Sequence, residues 1–344
     1  MNATPADFRH WLTNRLTALC AVETTSGHED AGLPALRALL QELGATVVEQ
    51  PVAAGRTNML ALWGRPRVLF STHLDTVPPY LPPRLENEIL WGRGTCDAKG
   101  QAIAQLAAIK TLLQQGHDGF AWLGVVGEET DSAGAAVAHG LADRLPELRV
   151  LINGEPTELK LATGQRGVQH VCLHCSGKAA HSGSPELGHN ATWPLLDWLQ
   201  RVREQPRPVD PHLGPELWNL GLLQAGQALN SVPAQAEAHL LARVVPASRL
   251  LDDIRRLAPK EGTVEVRLDE PADRYPLISG FEHAPMPFGS DAPALRSLVP
   301  DRTVVLAGPG SISVAHSLEE HLTLADLEAG IDLNRRLALH FLGD

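Results

Sequence analysis

The sequence predicts an α/β protein in two parts: a layered domain with a mostly parallel central sheet, interrupted by a smaller α+β domain of ferredoxin-like order. Three observations carry this. Through the first half, short apolar runs alternate with stretches of helical periodicity. From about Gly167 the order becomes strand–helix–strand–strand–helix–strand. After a Pro-rich stretch at 276–287 the layered pattern returns. The expected division is 1–166 with 277–344 for the layered domain and 167–276 for the insertion.

The elements follow in order. Residues 6–23 place Phe8, Leu12, Leu16 and Leu19 at helical spacing, and 33–43 repeat the pattern before Gly44. Apolar runs at 46–48, 58–63 and 67–71 read as strands. The Ala-rich run 103–113 reads as a helix, 120–126 as a buried strand, 133–142 as a helix and 149–152 as a strand. In the insertion, 168–176 reads as a strand and 191–203 as a helix. Two strands at 217–223 and 236–245, a helix at 248–257 and a strand at 263–268 complete it. A strand at 303–307 and a helix at 324–342 close the chain. Sheets of this layered kind gather functional loops at the carboxyl ends of their strands.

The formal charge of −11 argues against nucleic acid or an anionic membrane as partner. Residues 1–23 mix Asp7, Arg9, His10 and Arg15 with apolar positions, unlike a signal peptide. No run approaches the ~18 apolar residues of a membrane span. Four cysteines in 344 residues suggest a reducing compartment, so the expected location is cytoplasmic. Cys172-Leu173-His174-Cys175 has a spacing that can ligate zinc, but strand alternation turns its two cysteines to opposite or skewed faces.

The chemistry-bearing residues sit where strands end. The strand at 67–71 runs into Thr72-His73-Leu74-Asp75. An imidazole with a carboxylate two residues on suits a metal ligand whose other N–H is held; a solvated His–Asp pair at a capped strand end is the plainer alternative. Gly92-Arg93-Gly94-Thr95-Cys96-Asp97-Ala98-Lys99-Gly100 puts Asp97 just before a helix, as an N-cap or as a bridging carboxylate. Its glycines match neither nucleotide-binding pattern. The strand at 120–126 ends in Gly127-Glu128-Glu129, and adjacent carboxylates at the mouth of a buried strand call for a cation. Glu155 follows the strand at 149–152, and His316 follows that at 303–307. Two zinc ions held by two histidines and three carboxylates, one of them shared, account for the set, with one glutamate left as a base.

These five motifs, in this order, resemble the co-catalytic zinc aminoacylase and carboxypeptidase family. It includes acetylornithine deacetylase, succinyl-diaminopimelate desuccinylase, aminoacylase, glutamate carboxypeptidase and the carrier-protein lysine hydrolase. The resemblance runs from about Thr24 to the C-terminal helix and implies the family's zinc-hydrolase fold with an inserted dimerisation domain. It implies two Zn2+ per chain, with Co2+ as a substitute. His73 and Glu155 would bind one ion, Glu129 and His316 the other, and Asp97 both. Asp75 would support His73, and Glu128 would be the general base. A cis peptide after Asp97 is implied as well. In the insertion, His181 matches a histidine that reaches the active site of a partner subunit, which implies a homodimer. Arg243, following Asn230-Ser231-Val232-Pro233, matches an arginine that grips the substrate carboxylate, and Gly289 and Ser290 match a loop lining the substrate pocket. Outside this context His181 is one loop histidine among fifteen and Arg243 a surface residue.

There are departures. Gly127 stands where Asp or Ser is more usual before the glutamate pair, and Gln165-Arg166-Gly167 has one arginine where the desuccinylase type has two. The expected reaction is hydrolysis of an N-acyl amino acid. N-acetylornithine is the first choice, with a role in arginine biosynthesis. A desuccinylase, a dipeptidase or carboxypeptidase, or the lysine-releasing hydrolase on the same site are the alternatives, and an inactive metal- or peptide-binding relative is the remote one.

Overall fold

The structure, a computed structural model, describes residues 5–299 and 303–343. Two compact units result. One comprises Met1–Thr163, Tyr275–Ala284 and Ser290–Asp344; the other comprises Gly164–Arg274 and Pro285–Gly289.

The first unit is built on a six-stranded sheet. Its order is Thr46–Ala53, Arg56–Trp63, Phe120–Val125, Val68–His73, Val150–Asn153 and Val304–Leu306. Every residue of Val68–His73, Phe120–Val125, Val150–Asn153 and Val304–Leu306 is buried. Such strands, covered on both faces, read as continuous apolar runs rather than alternating ones. These four strands are mutually parallel, with Val68 opposite Phe120 and Val150, and Val304 opposite Leu151. At one edge Arg56–Trp63 runs antiparallel to both Phe120–Val125 and Thr46–Ala53, so the sheet is mixed rather than uniformly parallel. The cause is local: only Ala54 and Gly55 separate Thr46–Ala53 from Arg56–Trp63, and a link that short permits a hairpin but no crossover.

Helix Lys99–Gln114 lies on this sheet and against the C-terminal helix Leu324–Leu342. Ala102, Ala104, Ala107 and Ala108 are all buried, and their small side chains permit the close approach. Leu324–Leu342 is capped by Thr323, whose hydroxyl accepts from the Asp326 N–H at 2.9 Å. Two expectations shift. The helix expected at 133–142 is an α-helix only over Ala133–Val137 and continues as a 3-10 helix, Ala138–Arg144, through helix-weakening Gly140. A three-stranded sheet of Arg84–Glu86, Ile89–Trp91 and His321–Thr323 has no counterpart in the sequence reading. Its hairpin turns through Asn87 and Glu88, both at positive φ, and a glutamate there is no turn signal.

The second unit is a four-stranded antiparallel sheet in the order Leu217–Ala225, Gln235–Val244, Gly167–Ser176, Gly262–Glu270. Numbered along the chain this is 2-3-1-4, the ferredoxin-like arrangement. Helices Thr192–Arg203 and Leu250–Leu257 cover one face. Ala236, Ala238, Leu240, Ala242 and Val244 point into that core at period two, around Trp198, whose indole N–H donates to Ile254 O at 3.0 Å. All four cysteines are free and buried. Among the described residues no helix is long and apolar enough to cross a membrane.

Candidate metal centre

Three parallel strands of the first unit deliver side chains to one place. His73 is the last residue of Val68–His73 and is buried. Asp97 ends the Gly92–Asp97 turn at a cis peptide to Ala98, as the resemblance implied. Glu128 and Glu129 follow Phe120–Val125, and Glu155 follows Val150–Asn153. His316 lies in the loop after Val304–Leu306, at φ +61°.

His73, Asp97 and Glu129 offer ligand atoms that all lie within 4.8 Å of one another. His73 Nε2 is 2.9 Å from Asp97 Oδ1. His316 Nε2 is 3.2 Å from Asp97 Oδ2 and 2.9 Å from Glu129 Oε2. Asp97 thus faces both histidines, the position a shared carboxylate needs. Glu155 is buried, and its charge acts on His73, as does that of Asp97.

The electrostatics record how much negative charge is confined here. Burial pushes the Glu128 carboxyl well above its usual range; His73 opposes this, while Glu155, Asp291 and Glu129 add to it. Glu155 is raised in the same way, first by burial and then by Asp97, Asp291 and Glu129. His316 is raised to about 10 by its hydrogen bonds to Asp97 and Glu129, against burial. For Asp97, burial would raise the pKa, but His316 and His73 outweigh it and hold it below its usual value. Two imidazoles and four carboxylates, mostly removed from water, are a donor set that a divalent cation satisfies, and the arrangement fits one.

Asp75 departs from expectation in detail. His73 Nδ1 donates to the Asp75 main-chain carbonyl at 3.0 Å, while the carboxylate Oδ1 stands 3.6 Å away, too far for a hydrogen bond. That carboxylate is otherwise engaged. It accepts the N–H groups of Gly127, Glu128 and Glu129 at 3.0, 3.2 and 3.1 Å and the Ser26 hydroxyl at 2.7 Å. Asp75 therefore fixes the tautomer of His73 through its backbone and the glutamate-bearing loop through its side chain.

The Gly127 departure also has a physical counterpart. Gly127 has φ +83°, and a Cβ there would lie 1.7 Å from Arg56 Nη2 and 2.6 Å from Asp131 Oδ1. Arg56 reaches across it to Asp131 in a two-pronged pair at 2.9 and 2.7 Å and contacts buried Glu29 at 3.2 Å.

One residue the sequence reading missed organises the turn before Asp97. Buried Glu320 accepts from the N–H groups of Gly94, Cys96 and Asp97 at 2.9, 3.2 and 3.1 Å and pairs with Arg93 at 2.5 Å. In the sequence it stands beside Glu319 in a run of mostly polar residues and reads as solvated. The small sheet carries it in, pairing His321 with Trp91. Buried Asp291 was likewise unassigned, though its charge acts on Glu128 and Glu155.

Ser290 belongs to the first unit and is buried. His181, Asn230, Arg243 and Gly289 belong to the second. There the loop of exposed His181 joins that of Asn230: His181 bridges to Ser231, and the Ser182 N–H donates to Asn230 O at 3.0 Å. Arg243 Nη1 lies 4.0 Å from where a Cβ on Gly289 would be.

A layered α/β unit whose strand ends gather histidines and carboxylates, with a ferredoxin-like second unit, defines a metal-dependent hydrolase of amide bonds. The chain belongs to Peptidase family M20/M25/M40, whose model matches residues 69–340. A probable carboxypeptidase of Aspergillus terreus is 35% identical over 93% of this chain and 84% of its own length. Among solved structures, aminopeptidase PepT of Bacillus cereus covers 97% of this chain and 99% of its own at TM-score 0.79 and 18% identity. The YXEP protein of Bacillus subtilis, described as a dinuclear metal binding peptidase from the M20 family, covers 99% of each chain at TM-score 0.72 and 14% identity. None of these similarities points to acetylornithine deacetylase or to the desuccinylase in particular.

Proposed function

We propose that the protein is a dizinc carboxypeptidase-type hydrolase that cleaves the amide bond next to a free α-carboxylate, in a dipeptide or an N-acyl amino acid. The observation that carries this is the convergence of His73, Asp97, Glu129 and His316, with Glu128 and Glu155 alongside. Similarity to the probable carboxypeptidase of A. terreus and to the dinuclear metal binding peptidase of B. subtilis supports it.

His73 and Glu155 would hold one ion and Glu129 and His316 the other, Asp97 would contribute to both, and Co2+ would substitute for zinc. Bound there, the cations supply Lewis acidity for the carbonyl and lower the pKa of an attacking water. Glu128 accepts the proton of that water and delivers it to the leaving nitrogen. Asp75 keeps Glu128 and Glu129 in register by holding three consecutive N–H groups. His181 of a partner subunit donates to the developing oxyanion. Arg243 binds the substrate carboxylate as a two-pronged donor, with Asn230, Gly289 and Ser290 lining its pocket.

The working unit is a homodimer through the second unit. Its edge strand Leu217–Ala225 exposes Leu217, Leu220, Leu222 and Leu223, an apolar open edge of the kind proteins ordinarily cover. Four free buried cysteines fit a cytoplasmic setting. Deacylation of N-acetylornithine is the second reading, favoured by the resemblance of Gly308-Pro309-Gly310-Ser311-Ile312 and of Phe288-Gly289-Ser290-Asp291-Ala292-Pro293 to the acetylornithine deacetylase form of those segments.

The test is kcat/KM of the zinc- or cobalt-loaded protein on dipeptides, their C-terminal amides, N-acetylornithine, N-acetylmethionine and N-succinyl-diaminopimelate. Dipeptides with a free carboxylate should lead, and their amides should fall by a factor of a hundred or more, about 2.7 kcal/mol, because half-buried Arg243 loses its charged two-pronged partner. Equal turnover of the amides sinks the carboxylate role. Preference for N-acetylornithine over every dipeptide replaces the carboxypeptidase reading with the deacetylase.

A further inference from the structure

The second unit holds a group of side chains that the proposed hydrolysis does not use. Strand Gly167–Ser176 puts His170, Cys172 and His174 on the face opposite the helices, while Cys175 turns into the helix-covered core. The neighbouring strand Gln235–Val244 adds Glu237 and His239 to the same face, with His239 directly opposite Cys172. Strand Gly262–Glu270 sets Glu265 on Cys172's other side.

Three ligand atoms meet there. His170 Nε2 is 3.2 Å from His239 Nδ1, and Cys172 Sγ is 3.2 Å from His239 Nδ1 and 3.8 Å from His170 Nε2. A tetrahedral zinc with ordinary Zn–N and Zn–S bonds separates two nitrogens by about 3.4 Å and a nitrogen and sulfur by about 3.6 Å. Every edge of the observed triangle lies within about 0.4 Å of that spacing. Outside it, the other ring nitrogen of His239 donates to Glu237 Oε1, leaving a bare Nδ1 lone pair aimed inward. Metal-binding histidines are oriented by this kind of carboxylate partner. The lone pair faces both the Cys172 thiol and the His170 ring and can satisfy only one of them well.

The charges around the group suit a cation bound through a thiolate. Glu237 and Glu265 supply negative charge, and His174 lies 3.2 Å from Glu237 and 3.5 Å from Glu265. Burial holds the Cys172 thiol protonated, and the charge of Arg267, which pairs with Glu265 at 3.2 Å, opposes this. Cys172 is fully buried, whereas His239 keeps 16% of its side chain exposed, so one side of the triangle opens to solvent. Two imidazoles and a thiolate are borderline-to-soft donors, which excludes calcium and magnesium and selects zinc-like ions.

We propose that His170 Nε2, Cys172 Sγ and His239 Nδ1 bind a zinc ion on this face of the second unit, with Glu237 orienting His239 and a water completing the coordination. Binding releases the Cys172 thiol proton to solvent, so occupancy rises with pH. The ion ties the two central strands together on the face that has no helices.

Cobalt loading of the chelator-stripped full-length protein tests this independently of catalysis. A thiolate bound to Co2+ gives a near-ultraviolet charge-transfer band, which imidazole and carboxylate ligands do not. The wild type should develop that band, and elemental analysis should show one metal equivalent more than in Cys172→Ser, which should lack it. Cys96→Ser, changing the cysteine beside Asp97, should leave the band intact. Glu237→Gln should keep the band at saturation while weakening cobalt affinity about 10–100-fold. If Cys172→Ser does not fold, His170→Gln, at a half-buried position, is read instead and should lose the same equivalent. No band in the wild type at saturating cobalt, or a band that survives in Cys172→Ser or is lost in Cys96→Ser, overturns the site.

Discussion

The two sheets bury themselves in different ways, and their chemistry differs accordingly. In the six-stranded sheet, Val68–His73, Phe120–Val125 and Val150–Asn153 are buried on both faces, so polar groups surface only where those strands stop. In the four-stranded sheet one face is covered, and Gln235–Val244 alternates buried with more exposed positions along its length. Polar side chains can stand in the middle of such a strand, and His170, Cys172 and His239 do. A sheet covered twice concentrates function at its ends; a sheet covered once leaves a whole face available.

The largest expected effect lies at the strand ends. Glu128→Gln should retain bound metal yet lose about 10²–10⁴ in kcat, the usual worth of a general base. Turnover within tenfold of wild type would remove Glu128 from that role. Next comes the burial contrast itself. Phe70→Ala, in the doubly covered sheet, should cost about 3–5 kcal/mol in denaturant unfolding. A loss under about 1 kcal/mol would mean the sheet is not packed as described. Glu320→Gln should cost about 3 kcal/mol, because it leaves Arg93 buried without its counter-charge and loosens the turn that presents Asp97. Unfolding at an unchanged midpoint, with metal affinity unchanged, would contradict that account. Smallest is Thr263→Ala, on the exposed side of the singly covered sheet, at about 1 kcal/mol or less. A cost equal to that of Phe70→Ala would erase the contrast between the sheets.

The same contrast explains what the sequence disclosed. Runs such as Phe120–Val125 announce a buried strand, and any charge just after one stands out, which is why His73, Glu128, Glu129 and Glu155 were readable. Asp97 and His316 joined that set through their place in loops beside strand and helix ends, and the resemblance added which ion each would bind. Glu320 was not readable at all: its role depends on the Arg84–Glu86, Ile89–Trp91 and His321–Thr323 sheet, whose turn follows an Asn87 suited to positive φ with a Glu88 that is not. The alternation of His170 and Cys172 was legible, and it correctly separated Cys172 from Cys175. His239 was not, because register between strands is set by long-range packing rather than by neighbours in the chain. The antiparallel edge of the main sheet was missed because the Ala54-Gly55 link was not read as a hairpin turn.

The space over Gly127 has a consequence for inheritance. Arg56 and Asp131 occupy the volume a side chain at 127 would need. Replacing Gly127 alone forces the arginine out of its bidentate seat, and replacing Arg56 alone leaves Asp131 without its partner and buried Glu29 without a counter-charge. Positions 56, 127 and 131 are therefore coupled, each limiting what the others can become. A lineage that carries a side chain before the glutamate pair should have surrendered the arginine first, so the order of substitutions is constrained by a single crowded turn.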